Sequence, residues 1–190
     1  MRPNKPQLEF AGPHFSKMKA FGGALLKKAK NRHARPLSTK LPIHLVLRSS
    51  QARGDWSFYR ARNRKIINSG VSRLALKYGV RIEQFANAGN HLHLLLRVKN
   101  RFAFQSFLRA LSGLIALQIS GANKLKGLKK KFWDSRPFTR LVEGYRGYQI
   151  AKDYVLLNQL ESWGIVPYLK RRLHGLTGHD LQELLNLETS

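Results

Sequence analysis

Between residues 41 and 160 the apolar spacing of this chain switches repeatedly between a strand period and a helix period, and the order of switches restricts the folds open to it. Ile43-His44-Leu45-Val46-Leu47 is short, apolar and branched, and predicts a strand. Ser49 to Asp55 holds Ser-Ser, Gly and Asp and predicts a loop. From Trp56 to Tyr78 apolar residues fall at Phe58, Ile66, Ile67, Val71, Leu74, Ala75 and Tyr78. That spacing predicts a helix, with Asp55 as its N-cap, Gly79 as its stop and Gly70 as a point of kinking. Val80 to Ala86 and Leu92 to Val98 predict two strands joined by the turn Asn87-Ala88-Gly89-Asn90, a hairpin. Phe102 to Ile119 carries a helical stripe of Phe104, Phe107, Leu108, Leu111, Leu114, Ile115 and Ile119, ended by Gly121. Phe138 to Val142 predicts a fourth strand, Gly144 and Gly147 bracket a connection, and Tyr148 to Leu160 predicts a last helix. The first six elements spell β-α-β-β-α-β. This is an α+β, ferredoxin-like sandwich, in which two helices cover one face of a four-stranded antiparallel sheet. The other face stays available for a site.

Charge says what such a sheet would meet. Lys and Arg total 35 against 10 Asp and Glu, a formal net charge of +25, while 43% of residues are hydrophobic. The apolar share supports a core and excludes a wholly disordered basic chain. The charge excess points to a polyanion, because each neutralised phosphate releases counterions. Residues 1–38 are basic, contain Pro3, Pro6, Pro13 and Pro36, and are expected to be a flexible arm. Within it Ser16 to Ala29 is expected to be able to form a short basic helix on binding, weakened by Gly22-Gly23. Residues 39–165 form the folded domain, and 166–190 an extension with a short helix through Leu181, Leu184, Leu185 and Leu187. The absence of Cys excludes disulfides and Cys-based zinc sites. No apolar run reads as the ~20 residues of a span, so no membrane partner is expected. A cytoplasmic, nucleoid-associated protein is.

Two short motifs carry chemistry. In Asn90-His91-Leu92-His93-Leu94 the strand alternation sends His91 and His93 to one face and Leu92 and Leu94 to the other. Two neutral imidazoles side by side can serve one divalent cation. By itself the pattern equally describes two unrelated surface histidines. In Asp153-Tyr154-Val155-Leu156-Leu157-Asn158, Tyr154 and Asn158 lie one helical turn apart. A phenol can attack phosphorus where a cation polarises the phosphate, and a carboxamide oxygen suits hard cations. Taken alone, that helix equally uses Tyr154 to pack and Asn158 to cap.

In combination, His-Leu-His on a strand followed by Tyr-x-x-x-Asn on a helix resembles the HUH endonucleases. More narrowly it resembles the single-tyrosine transposases of the insertion-sequence 200 type and their REP-associated relatives. Leu41-Pro42-Ile43-His44-Leu45-Val46-Leu47-Arg48 is similar to that family's first strand, and Asn90 stands directly before the histidines as it often does there. Phe132-Trp133-Asp134-Ser135-Arg136 resembles the segment ahead of the last core strand. The resemblance implies His91, His93 and Asn158 as ligands of Mg²⁺ or Mn²⁺. It implies Tyr154 as the nucleophile, forming a 5′-phosphotyrosine on single-stranded DNA with hairpins. It also implies a homodimer able to exchange the nucleophile helix at Gly144 and Gly147.

The chain departs from the pattern in three places. Gln159 stands where many relatives have Pro, and is a rival third ligand pointing farther from Tyr154. Arg136-Pro137-Phe138 replaces an Arg-aromatic pair, and the basic arm is long. Expected DNA contacts are Arg53, Arg60, Arg62, Arg64 and Lys65 after the first strand, Lys129, Lys130 and Lys131 in the basic loop, and Arg136. His44 reads as a core histidine or one facing the site, Glu83 as a salt-bridge partner or metal aid, and Tyr145 and Tyr148 as packing groups or spare nucleophiles. The competing functions are an HUH replication initiator or relaxase, which commonly is longer and uses a third histidine, and a non-catalytic single-strand binding module. The latter lacks its usual sheet aromatics here.

Overall fold

The computed structural model describes residues 19–25, 34–123, 127–128 and 130–167. The strands are β1 (Ala20–Phe21), β2 (Ile43–Arg48), β3 (Val80–Asn87), β4 (His91–Val98) and β5 (Phe138–Leu141). The helices are α1 (Ala61–Tyr78), α2 (Arg101–Ser120) and α3 (Gly144–Trp163). All pairings are antiparallel, in the order β1-β5-β2-β4-β3. Without β1 this is the ferredoxin-like order expected from the sequence.

One face of the sheet is the main core. Ile43, Leu45, Leu47, Leu92, Leu94 and Leu96 are fully buried there beneath Phe107, Leu111 and Ile115 of α2 and Ile67 and Val71 of α1. Strand alternation sends every second residue to this side. A bulge between Ile82 and Gln84 lets β3 place both Ile82 and Phe85 on it. The opposite face is covered in part by α3. Ala86 and Leu95 of the sheet pack there with Val142, Ala151 and Val155. A face expected to be open is therefore half-closed by the last helix, which reaches His44 and His93 through Tyr154.

Several local readings change. Asp55 does not cap α1: a single 3₁₀ turn, Gly54–Trp56, intervenes and α1 starts at Ala61. Asp55 instead accepts a hydrogen bond from Arg60 at 3.0 Å. Gly70 is not a kink. A Cβ there would stand 3.0 Å from Leu114, so the glycine lets α1 and α2 approach closely. Gly79 and Gly121 end their helices with positive φ, as expected. Gly144 and Gly147 lie inside the first turn of α3 rather than in a connection before it. α2 is long and apolar enough to cross a membrane by length and composition, contrary to the reading of the sequence. Core helices pass the same test, and its Phe104, Phe107, Leu111, Ile115 and Ile119 are buried in this one. The expected tail helix after residue 175 lies outside the described residues.

β1 was not foreseen. Ala20 pairs with Arg140 and Phe21 with Thr139, so part of the basic N-terminal region covers the β5 edge. Arg35 clamps it: its guanidinium lies 4.5 Å from the Phe21 ring and donates to Pro137 O at 2.9 Å and Thr139 Oγ1 at 2.6 Å. Gly22 has φ +90°, and a Cβ there would run into the Pro137 carbonyl. Gly22→Ala is therefore expected to cost about 1–3 kcal/mol locally and detach β1. Faster amide exchange at Gly23, which donates to Arg136 O, would report the detachment while the main core stays protected.

Candidate active site

The site is built where β4 begins. His91 and His93 project to the α3 face, with ring centroids 4.8 Å apart and planes at 75°. His91 is half-buried and His93 buried. Asn90 Oδ1 lies 2.6 Å from His91 Nδ1. A carboxamide oxygen only accepts, so Nδ1 donates and the lone pair of His91 sits on Nε2. β2 brings a third imidazole. His44 pairs with Leu95 and His93 with Val46, which makes the two histidines diagonal neighbours on one face. His44 Nε2 stands 3.1 Å from His93 Nδ1. Burial, with the Arg140 guanidinium nearby, pushes His44 down to about 3, so it stays neutral at working pH. Of the two readings of His44, core or site, the structure supports both: it is buried, and it touches the motif.

α3 supplies the phenol. The Tyr154 ring stands edge-on to His93 at 5.4 Å and to His44 at 5.7 Å, centroid to centroid. Ala151 and Val155, one turn before and one residue after, seat the helix on Ala86 and Leu95 of the same chain. Asn158 is buried and donates from Nδ2 to Tyr154 O at 2.7 Å. Its amide nitrogen is thus committed, and only its carboxamide oxygen is suited to a cation. Gln159 is committed twice. Its Oε1 accepts from Asn87 N at 2.9 Å and its Nε2 donates to Ser162 at 3.0 Å, so it staples α3 to the end of β3.

By donor type alone, two imidazoles and a carboxamide suit a hard cation that keeps part of its own shell. Among the described residues no three His, Cys, Asp or Glu side chains converge on one point. Two imidazole nitrogens and an amide oxygen leave positions for water and phosphate oxygens, as Mg²⁺ and Mn²⁺ accept.

A family model for "Transposase IS200 like" matches residues 38–157. The chain belongs to that family. The match contains β2, the histidine strand and Tyr154. Among solved structures, a REP-associated tyrosine transposase bound to a REP hairpin is 13% identical, with a TM-score of 0.54 over 69% of this chain and 73% of that one. It shares the fold. A structure from Deinococcus radiodurans described as a candidate transposase is 16% identical, with a TM-score of 0.41 over 68% of this chain and 98% of its own. No curated protein matches.

Around the site of this IS200-like transposase the expected DNA contacts occupy different places. Arg53, Arg60, Arg62, Arg64 and Lys65 are exposed, with Arg53 folded onto Ser50 O and Arg60 paired with Asp55. They surround the N-terminus of α1, which abuts the turn before His91 through Phe58 N to Gly89 O at 2.8 Å. They share the histidine end of the sheet but lie in the helical layer, not over the histidines. Arg136, Lys130 and Lys131 are exposed, and Lys129 lies outside the described residues. Asp134 ties the segment before β5 to the end of β2, donating from its N to Arg48 O at 3.0 Å and accepting from Ser50 N at 2.6 Å. Arg140 was missed by the sequence reading. It pairs in register with His44 and is half-buried, and burial lowers it only to about 10, so it stays charged. Nothing in a lone Arg of a short strand signals this; the β2–β5 register does. Glu83 is held by Arg97 at 2.7 Å, and Tyr148 stacks near the same Arg97 at 5.9 Å. Both serve the far end of α3 rather than the histidines.

Proposed function

We propose that this transposase cleaves and rejoins single-stranded, hairpin-containing DNA through a covalent bond to Tyr154. The observation that carries it is the Tyr154 ring against His93 at 5.4 Å, from elements far apart in sequence. His91, His93 and the Asn158 oxygen would hold Mg²⁺ or Mn²⁺. When bound, the cation polarises the scissile phosphate and neutralises charge on it.

The protein's own groups do the rest. Tyr154 Oη forms a bond to phosphorus while the bond to the 3′-oxygen breaks. The phenol loses its proton and the departing 3′-oxygen gains one, leaving a 5′-phosphotyrosine and a 3′-hydroxyl. One phosphodiester replaces another, so rejoining needs no external energy. Arg140, charged beside His44, adds positive potential on the side where the phosphate would sit. The packing of α3 on its own sheet supports a nucleophile supplied within the same chain, whether or not the protein dimerises. A cytoplasmic, nucleoid-associated location follows from this reading.

The test is incubation with Mn²⁺ or Mg²⁺ and single-stranded hairpin DNA from the flanks of the gene. A denaturation-resistant protein–DNA adduct that chelation prevents is expected; absence of any adduct across those substrates would overturn the proposal. The basic arm contributes grip. Deleting residues 1–18 removes Arg2, Lys5 and Lys17 and leaves β1 and Arg35 in place. Binding should weaken, and the slope of log K against log salt should become shallower by about 0.7–0.9 for each phosphate that the arm neutralises. Adduct formation at saturating DNA should not change.

A further inference from the structure

We infer that His44 is a positioning residue for His93: its Nε2 accepts the hydrogen on His93 Nδ1 and holds His93 in the tautomer whose Nε2 offers a lone pair to a cation. The inference rests on the metal reading proposed above and adds a residue outside the two-histidine motif.

The geometry is that of a linear hydrogen bond. The nitrogens are 3.1 Å apart, the ring centroids 5.4 Å, and the planes differ by 12°. The centroid separation equals the nitrogen contact plus the two centroid-to-nitrogen radii, so the rings lie end to end in one plane. They are not stacked face to face. The rings that flank His93 on its other sides are nearly perpendicular to it, His91 at 75° and Tyr154 at 82°. His44 and His93 are 4% and 2% exposed, so their contact is shielded from water.

Proton counting leaves two arrangements. Each neutral ring brings one N–H, and the shared contact uses one N–H and one lone pair. If His44 donates, the hydrogen of His93 is on Nε2 and that nitrogen cannot bind a cation. If His93 donates, its Nε2 is a ligand. Asn90 already sets His91 in the second state, because its Oδ1 at 2.6 Å only accepts. Two imidazoles serve one cation only when both have Nε2 bare, which assigns the donor role to His93 and the acceptor role to His44. A neutral acceptor also fixes the ring without adding negative charge beside the phosphate.

The test reads tautomer and metal separately from catalysis. In the metal-free wild type, ¹⁵N NMR of labelled histidine is expected to show His93 protonated at Nδ1. His44→Phe keeps the ring volume and removes the acceptor, and should weaken Mn²⁺ binding about 10–100-fold by electron paramagnetic resonance titration. His44→Gln places an amide oxygen near the Nε2 position and should restore most of the affinity, which a purely space-filling role would not predict. His93 protonated at Nε2, or a folded His44→Phe with wild-type Mn²⁺ affinity, would overturn the inference. Should His44→Phe not fold, the wild-type tautomer decides. His91→Ala separates the two levels. If it abolishes Mn²⁺ binding while His44→Phe does not, only this inference fails. If it leaves Mn²⁺ binding intact, the metal reading itself fails and takes this one with it.

Discussion

Tyr154→Phe is expected to abolish the covalent protein–DNA adduct, a drop of more than about 10³-fold, while leaving hairpin binding unchanged. The substitution removes one oxygen and keeps the ring. The edge-on contacts to His44 and His93, at 5.7 and 5.4 Å, are made by that ring. Stability should therefore stay within about 0.5 kcal/mol of wild type. Two other tyrosines of α3 provide the control. Tyr145 is exposed, with Gln149 donating to its hydroxyl at 2.7 Å. Tyr148 faces Glu83 and Arg97, and burial followed by the Glu83 charge raises its pKa, which makes it a poorer nucleophile. An adduct that persists in Tyr154→Phe and maps to either residue would refute the assignment.

His91→Ala and His93→Ala should each cut adduct formation by about 10²-fold or more at fixed Mn²⁺, since each removes a proposed ligand. Their structural consequences differ, and the difference makes the test sharp. His91 is half-exposed and leans on its neighbour Asn90, so His91→Ala should keep the wild-type melting temperature. His93 is buried and bonded to His44, so His93→Ala leaves a cavity and deprives a buried imidazole of this partner, at about 1–3 kcal/mol. Melting curves and Mn²⁺-dependent adduct yields measured together separate the two effects. A His91→Ala protein that melts normally and cleaves normally would remove the metal from the mechanism.

Much of this was legible in the chain. The alternation His91-Leu92-His93-Leu94 places the imidazoles opposite the core wherever the strand sits, because the pleat has a period of two residues. The four-residue interval between Tyr154 and Asn158 puts them on one helical face in any fold. The turn before His91 was legible from Gly89, whose φ is +82°. The start of α1 was not. Asp55 has the chemistry of a cap, but Phe58 is fully buried and its N–H is taken by Gly89 O, so the chain needs the intervening turn to reach the core. β1 was illegible for a related reason. A two-residue strand has no periodicity, and it exists because the β5 edge offers backbone groups to pair with and Arg35 holds it there.

The sequence by itself determined which groups are present and which face each takes on its own element: an order of periods that builds a ferredoxin-like sheet, two histidines on one side of a strand, a tyrosine and an asparagine on one side of a helix. Those properties repeat within a few residues and need no partner. Only the tertiary structure decided what meets what. That His44 reaches His93 depends on the β2–β4 register, where a slip of one residue would turn His44 into the core. That Arg140 lies beside His44 depends on the β2–β5 register. That Tyr154 stands over both histidines depends on α3 crossing back onto its own sheet, seated by Val155 and Ala151 and pinned by Gln159 to Asn87. Register and docking are set by long-range packing, and local spacing carries no trace of them.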